Sequence, residues 1–279
     1  MVANVDTSRQ PALTEAPTQV VAHRGASEDV PEHTLAAYQK ALQDGADALE
    51  CDVRLTADGV LVCVHDRTVN RTSNGRGVVS TLELADLAAL DFGSWRDPWP
   101  GLAGDEEPDR DHRAVLTLER LLELAVDWGR PVTLAVETKH PTRYAGLVER
   151  RLVDLLDRFG LAHGGRAGPH HVQVRVMSFA TLGLRRVRAL APRLPTVLLL
   201  ARVPLRLRDG SLPTGTRIAG PSIDIVRAHP EYVAKVHARG HAVHVWTVDD
   251  PADVALCARL GVEAIITNRP RQVRAQLAR

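Results

Sequence analysis

Short apolar stretches alternate along this chain with segments whose apolar residues recur at helical spacing. The stretches predict strands at residues 19–22, 49–53, 132–137, 172–178, 196–201, 222–226, 242–248 and 263–267. Helices are predicted between them, over residues 34–43, 117–128, 143–159, 180–191, 231–239 and 251–260, with a last helix at the C-terminus. Strands that alternate with helices favour a parallel sheet, and eight of them favour a (β/α)₈ TIM barrel. An open doubly wound sheet is the alternative, although no glycine-rich turn follows the first strand.

One further strand, at residues 60–65, returns from the second strand across Ala57-Asp58-Gly59. An Asp-Gly turn between alternating apolar residues predicts a hairpin. With the turn centred between Ala57 and Asp58, Glu50 is expected opposite His65 and Asp52 opposite Cys63, which places Glu50, Asp52 and His65 on one face. The returning strand is antiparallel, so we predict that it opens a small insertion of residues 54–115 above the barrel.

Composition limits the classes of function. The 279 residues include 35 basic and 34 acidic ones, a net charge of +1 that argues against nucleic acid as a partner. Residues 1–18 are polar and predict a flexible tail, which leaves residues 19–279 as one catalytic domain. No signal-peptide core or membrane-spanning run is evident, and the odd cysteine count, with Cys51 and Cys63 expected on opposite faces, predicts no disulfide. We therefore expect a cytoplasmic protein without integral membrane association, and the oligomeric state stays open.

Polar residues interrupt the strands at their C-terminal ends, where a barrel of this type carries its site. They are His23, Arg24, Glu50, Asp52, Glu137, Lys139, Ser178 and Trp246, and the hairpin adds His65. Each one alone has a structural explanation, such as a buried ion pair for Glu137 and Lys139. Together they predict a barrel mouth that contains three carboxylates, two imidazoles and two cations.

Three carboxylates at one point cannot all stay ionised unless a cation joins them. Oxygen ligands suit Mg²⁺ or Ca²⁺, so Glu50, Asp52 and Glu137 are the predicted metal ligands. Arg24 and Lys139 then supply fixed positive charge for a phosphate. His23 and His65 can divide the proton transfers, although their spacing does not decide which is the acid and which the base. These residues predict metal-assisted cleavage of a phosphodiester.

The ordered motifs of the chain resemble the glycerophosphodiester phosphodiesterases. They are His23-Arg24-Gly25, Pro31-Glu32-His33-Thr34, residues 45–53, Thr56-Ala57-Asp58-Gly59, His65-Asp66, Val136-Glu137-Thr138-Lys139, Ser178-Phe179, Val245-Trp246-Thr247-Val248 and residues 265–270. The resemblance covers nearly the whole chain beyond the tail. Each motif alone is weak evidence, but the ordered set is specific.

The resemblance implies hydrolysis of small-molecule glycerophosphodiesters, such as glycerophosphocholine or glycerophosphoethanolamine, to sn-glycerol 3-phosphate and an alcohol. It implies a divalent metal at the predicted ligands, acid–base catalysis by His23 and His65, and phosphate contacts from Arg24 and Lys139. Trp246 is expected to line the site on the side of the glycerol or of the leaving group. In this family the glycerol 2-hydroxyl can act as the first nucleophile through a cyclic phosphate, and Glu32 is a supporting residue.

The chain departs from the family pattern at two positions. His33 replaces the usual Asn of Pro-Glu-Asn-Thr, close to the predicted site, and Asn268 replaces the usual Asp of the last motif. Two alternatives to the leading hypothesis remain. One is a phospholipase D-type activity on lysophospholipids or sphingomyelin-like lipids, and the other is a non-catalytic barrel that binds a phosphorylated metabolite.

Overall fold

The computed structural model describes residues 17–96, 110–163 and 171–279. Eight parallel strands close into a barrel in the order β1, β2, β4, β5, β6, β7, β8, β9 and back to β1, while β3 pairs antiparallel with β2. The strands are β1 Gln19–His23, β2 Ala48–Leu55, β3 Leu61–Cys63, β4 Val132–Thr138, β5 Val172–Ser178, β6 Thr196–Leu200, β7 Ile218–Pro221, β8 Ala242–Val245 and β9 Ala264–Thr267. The TIM barrel is confirmed, and the open sheet is wrong.

Helices connect the parallel strands and cover the outside of the barrel. They are α1 Leu35–Gln43, α2 Leu84–Ala88, α3 Arg110–Arg113, α4 Leu118–Asp127, α5 Leu147–Arg158, α6 Thr181–Leu190, α7 Ile223–Ala228, α8 Glu231–Ala238, α9 Pro251–Leu260 and α10 Pro270–Leu277. Local sequence sets several of their starts: Thr34, Thr117 and Asp250 accept hydrogen bonds from backbone amides of the first turn. No helix in the described ranges combines the length and apolar character needed to cross a membrane.

The barrel has an apolar interior beneath its polar mouth. Side chains that alternate along the strands fill that interior, namely Val21, Ala48, Ala135, Met177, Val197, Leu199, Ala264 and Ile266. The opposite faces of the strands pack against the helices, as Leu49, Cys51 and Val53 of β2 do. Because of this alternation, Glu50 and Asp52 follow Ala48 on the inner face and rise above the apolar layer.

The predicted strand at residues 222–226 is wrong. That segment forms the short helix α7, and the barrel strand is the preceding Ile218–Pro221. The β-branched run of Ser222 to Val226 has strand character, but its apolar residues are buried from a helix instead. Small residues suit β7, since a Cβ at Gly220 would lie 2.8 Å from a methyl carbon of Leu199.

The predicted hairpin register is wrong by one residue. The structure pairs Val53 with Cys63 and Leu55 with Leu61, so β3 is only three residues long. The pairing also places Cys51 and Cys63 on the same face, where the prediction had them apart. Both are free, buried thiols.

The segment between β2 and β4 has its own small apolar cluster above the barrel. Val62, Val64, Val69, Val79, Leu87 and Phe92 form its buried part. The insertion bounds 54–115 and the division between tail and domain at residue 18 stay predictions, and most of the tail, with residues 97–109, lies outside the described residues.

We predict that Gly25→Ala destabilises the fold by about 2–4 kcal/mol, from a strained backbone and an overpacked contact. Gly25 has φ +85°, and an added Cβ would lie 2.6 Å from the backbone carbon of Ala37 in α1. Gly240→Ala is the matched control, because Gly240 has φ +71° but nothing within 4 Å of an added Cβ. It should cost only about 1 kcal/mol. Urea unfolding measures both, and equal losses would contradict the close packing at Gly25.

Candidate active site

Strand register brings the three acidic residues together at the barrel mouth. In the parallel pairing, His23 of β1 lies beside Glu50 of β2, and Asp52 of β2 lies beside Glu137 of β4. One ligand oxygen from each of Glu50, Asp52 and Glu137 lies within 4.8 Å of the others, and all three residues are buried. The structure therefore places the three predicted ligands at one point.

This arrangement opposes ionisation of two of the three acids. Burial and the charges of Asp52 and Glu137 raise the pKa of Glu50 well above its usual value. Burial and the charge of Asp52 raise the pKa of Glu137 to about 7. A divalent cation among these oxygens would restore both negative charges. The donor set, all carboxylate oxygen, fits a hard cation.

Asp52 is the acid whose charge the protein itself compensates. Its Oδ1 lies 2.9 Å from Lys139 Nζ, and its Oδ2 lies 3.1 Å from Arg24 Nε. Burial acts to raise the pKa of Asp52, but a hydrogen bond from His33 and the charges of Lys139 and Arg24 hold it well below its usual value. Lys139 also lies 2.8 Å from Glu137 Oε1. Both predicted phosphate ligands therefore border the triad.

His33 lies beneath the triad and makes a buried contact with it. Its Nε2 is 2.9 Å from Asp52 Oδ2, and its Nδ1 is 2.8 Å from the Tyr38 hydroxyl. Burial lowers the pKa of His33, and its Nε2 contacts the Asp52 carboxylate as a donor, while the Tyr38 hydroxyl beside Nδ1 donates to the Glu50 carbonyl at 3.1 Å. The imidazole thus fixes the orientation of a predicted metal ligand.

A chain of ion pairs joins Arg24 to the loop that carries His65. Glu32 accepts from Arg24 Nη1 at 3.0 Å and from both terminal nitrogens of Arg71 at 2.8 Å. Arg71 Nε donates in turn to Asp66 Oδ2 at 2.7 Å. Burial opposes the ionisation of Glu32, yet Arg71 and Arg24 lower its pKa to about 2. Glu32 therefore supports the site as a fixed negative charge between two guanidinium groups.

His65 lines the same cavity as His23, Glu50 and Glu137, a space of about 100 Å³. It reaches the mouth by a route that differs from the predicted ladder. The chain leaves β3 at Cys63, the amide of Val64 donates to the Asp52 carbonyl, and Arg54 donates to the His65 carbonyl. The ring nitrogen Nδ1 lies 2.7 Å from Asp66 Oδ1. The carboxylate accepts, which leaves Nε2 as the titrating nitrogen.

Asn268 determines the tautomer of His23. Its Nδ2 donates to Asp249 Oδ2 at 2.6 Å, so its Oδ1 is the atom that lies 2.7 Å from His23 Nδ1. Ser27 donates to the same oxygen. His23 therefore carries its proton on Nδ1, and Nε2 is free to accept one. Burial and the charge of Arg24 lower the pKa of His23 to about 4, so the ring is neutral at neutral pH.

Two aromatic rings form the opposite wall of this cavity. Trp246 and Phe179 both line it, and their rings meet edge to face with centroids 5.4 Å apart. The indole donates to the Gly220 carbonyl at 2.6 Å, which fixes the tryptophan. Ser178 does not reach the cavity, because its buried hydroxyl donates to the Thr138 carbonyl.

Sequence reasoning missed several residues of this network. Arg71, Tyr38 and Asp249 were not singled out, and Asp66 was noted only as part of a motif. Asn268 was noted as a departure, without its contact to His23. The His65-Asp66 pair was the one sequence signal available, since a carboxylate beside a histidine commonly orients the ring.

A scan against protein-family models matches residues 23–272 to "Glycerophosphoryl diester phosphodiesterase family". The chain belongs to this family. The match spans every strand-end residue described above, and it confirms the resemblance and the assignment to a family of phosphodiesterases.

Relatives in this family cover most of the chain. A Mycobacterium tuberculosis protein named "Probable glycerophosphodiester phosphodiesterase 1" is 47% identical over 261 residues, 92% of each sequence. The Bacillus subtilis "Glycerophosphodiester phosphodiesterase" is 36% identical, over 90% of this chain and 83% of its own length.

Solved structures of the family share the fold. A glycerophosphodiester phosphodiesterase from Agrobacterium tumefaciens has a TM-score of 0.71 at 26% identity, over 92% of this chain and 99% of its own. An Oleispira antarctica phosphodiesterase, in complex with the product sn-glycerol-3-phosphate, has a TM-score of 0.76 at 23% identity, over 94% and 98%. At that identity the likeness concerns the fold alone.

We predict that the His23 ring in the metal-free protein titrates near the lowered pKa of about 4. Nitrogen-15 NMR of the imidazole, assigned by loss of the signal in His23→Gln, measures the midpoint. Since the unfolded chain binds this proton at higher pH, the contribution of His23 to stability decreases as pH falls from about 6.5 towards 4. A midpoint near the ordinary histidine value would contradict the burial and the neutral partner Asn268.

Proposed function

We propose that this chain hydrolyses glycerophosphodiesters, such as glycerophosphocholine or glycerophosphoethanolamine, to sn-glycerol 3-phosphate and an alcohol. The observation that carries the proposal is the triad of Glu50, Asp52 and Glu137, whose ligand oxygens lie within 4.8 Å of one another. The cavity above the triad is bordered by both histidines and by Arg24 and Lys139. Membership of the family supports the same reaction.

Glu50, Asp52 and Glu137 are the residues that would hold a divalent cation, Mg²⁺ or Ca²⁺. When bound, such an ion compensates the three carboxylates and stabilises negative charge on the phosphate oxygens. Arg24 and Lys139 act on the same charge as fixed donors, and their ion pairs to Asp52 keep them in place. The phosphate thus meets positive charge that needs no reorganisation.

The environments of the two histidines support a different role for each. His23 is neutral, with Nδ1 engaged by Asn268 and Nε2 unprotonated, so it serves as the general base towards the attacking hydroxyl. His65 has a side chain 35% exposed and an Nδ1 that pairs with the Asp66 carboxylate. Burial lowers the pKa of His65, and the Asp66 carboxylate opposes that shift by stabilising the imidazolium form. Because His65 has this anionic partner and His23 does not, we assign His65 as the general acid towards the leaving alkoxide.

The alternative phospholipase D-type reaction differs in which substrate is accepted and which product is released. The structure gives no observation that favours it. The non-catalytic barrel is opposed by the two histidine Nε2 atoms, which the hydrogen bonds to Nδ1 leave free for proton transfer.

We expect purified protein with Mg²⁺ or Ca²⁺ to release glycerol 3-phosphate from glycerophosphocholine, and chelator to abolish the release. His65→Ala should lose about 10²–10⁴ in rate with the fold intact, because the leaving alkoxide lacks its acid. His163→Ala is the control, since that histidine is a surface residue with a side chain 74% exposed. Choline release from lysophosphatidylcholine, without turnover of glycerophosphocholine, would instead support the phospholipase D alternative.

We expect divalent cation to raise the melting temperature of the wild-type protein and to affect Glu50→Gln much less. Binding should also tighten with rising pH, because Glu137, whose pKa is about 7 without metal, must lose its proton before it can ligate. Calorimetric titration between about pH 6 and pH 8 measures the trend and the released protons. A pH-independent affinity, or an equal response from Glu50→Gln, would exclude the triad as the metal site.

A further inference from the structure

A second cavity of about 440 Å³ lies beside the active site, and its lining is strongly basic. Its walls come from the end of β2, the segment around residues 67–81 and the loop that links β4 to α5. The charged side chains that line it are Arg54, Arg67, Lys139 and Arg143, and none of its lining residues is acidic. Four cations thus surround one space without a carboxylate among its walls.

The three guanidinium groups that line this cavity are not paired with a carboxylate of the described residues. Arg54 donates Nε and Nη2 to the His65 carbonyl, an uncharged acceptor. Arg67 and Arg143 form no ion pair with any described residue, and Arg143 lies 5.6 Å from the centroid of the Tyr144 ring. Arg67 and Arg143 are exposed residues. Positive charges grouped around one space favour an anionic ligand.

The cavity and the catalytic centre both share lining residues with a space of about 430 Å³. That space is lined by His65, Asp66, Glu137 and Phe179 of the active site and also by Arg54 and Arg67. Lys139, 2.8 Å from Glu137, borders all three spaces. The Tyr144 hydroxyl donates to the Ser80 carbonyl at 2.9 Å and so ties two walls of the cavity together. A substrate whose leaving group points towards His65 would therefore extend into it.

We propose that this cavity is the head-group site and that it selects glycerophosphodiesters whose leaving alcohol carries a second phosphate. The inference rests on the proposed function, which places the leaving alcohol beside His65. Arg24 and Lys139 serve the phosphate that is cleaved, which leaves Arg67 and Arg143 for an anion farther along the substrate. Guanidinium groups bind phosphate with paired, charge-assisted hydrogen bonds. The same charges repel the quaternary ammonium of choline.

Three substrates with different head-group charge test this selection. They are glycerophosphocholine, with a cationic head group, glycerophosphoglycerol, with a neutral one, and 1,3-bis(glycerophospho)glycerol, whose leaving alcohol carries a further phosphodiester. We expect kcat/KM to be highest for the anionic head group and lowest for choline, with about a tenfold difference between the extremes at low salt. Added salt should reduce the difference, because it screens exposed charges.

The double variant Arg67→Gln/Arg143→Gln should reduce the ratio of kcat/KM for the anionic substrate over the choline substrate about tenfold. Arg54 is left unchanged, since it holds the His65 carbonyl. Arg193→Gln is the matched control: Arg193 is exposed between α6 and β6, at the opposite end of the barrel, and its removal should leave the ratio unchanged. An unchanged ratio in the double variant, or a wild-type preference for choline, would overturn the inference while the proposed function stands.

If the wild-type protein hydrolyses none of the three substrates, the proposed function is wrong. Binding measurements then test separately whether the cavity binds an anionic head group. Calorimetry with 1,3-bis(glycerophospho)glycerol should then show weaker binding to the double variant than to Arg193→Gln. Equal binding to both would overturn the inference.

Discussion

The repulsion among three buried carboxylates is the constraint around which the barrel mouth is built. Parallel register forces Glu50, Asp52 and Glu137 onto adjacent inner positions of neighbouring strands, above a layer of apolar side chains that offers them no hydrogen bonds. Unpaired charge in such a place is costly. The protein compensates the charge of Asp52 by itself, while burial and mutual repulsion raise the pKa of Glu50 and Glu137. A divalent cation at the triad would compensate these two carboxylates as well.

Asp52 determines that shape because both of its oxygens are engaged by fixed groups. Lys139, Arg24 and His33 approach it from different elements: the end of β4, the end of β1 and the turn before α1. Through Glu32 and Arg71 the same ion-pair network continues to the segment after β3. A small displacement of that segment would break charged contacts. His65 is therefore held at the mouth although no strand carries it.

The sequence allowed the barrel and most of the site to be predicted, because both follow from local patterns. Strand ends are visible as polar interruptions, and one barrel topology brings all such ends to one face. The predicted hairpin register was wrong because β3 pairs over only three residues. The alternation of apolar and polar residues cannot fix the register over so short a strand. The prediction of a strand at residues 222–226 was wrong because a short buried helix and a buried strand share the same composition. Arg71 and Asp249 were missed because their partners, Glu32 and Asn268, are distant from them in the sequence. No periodicity of the chain indicates such contacts.

The two histidines differ because the protein gives them different second partners. His23 pairs with an amide oxygen that Asp249 orients, so its neutral form is favoured. Burial lowers the pKa of His65 as well, but its carboxylate partner Asp66 opposes that shift and the side chain is 35% exposed. In the proposed mechanism, a proton therefore leaves the attacking hydroxyl at His23 and another is given to the leaving alkoxide at His65. The basic cavity lies on the side of His65, where the proposed mechanism places the leaving group, and a negative charge there would meet Arg67 and Arg143, which the described carboxylates leave unpaired. From the active site to the basic cavity, the charged groups run from the acidic triad to guanidinium groups without a carboxylate partner. This order suits a substrate that carries one phosphate at the triad and another beyond His65.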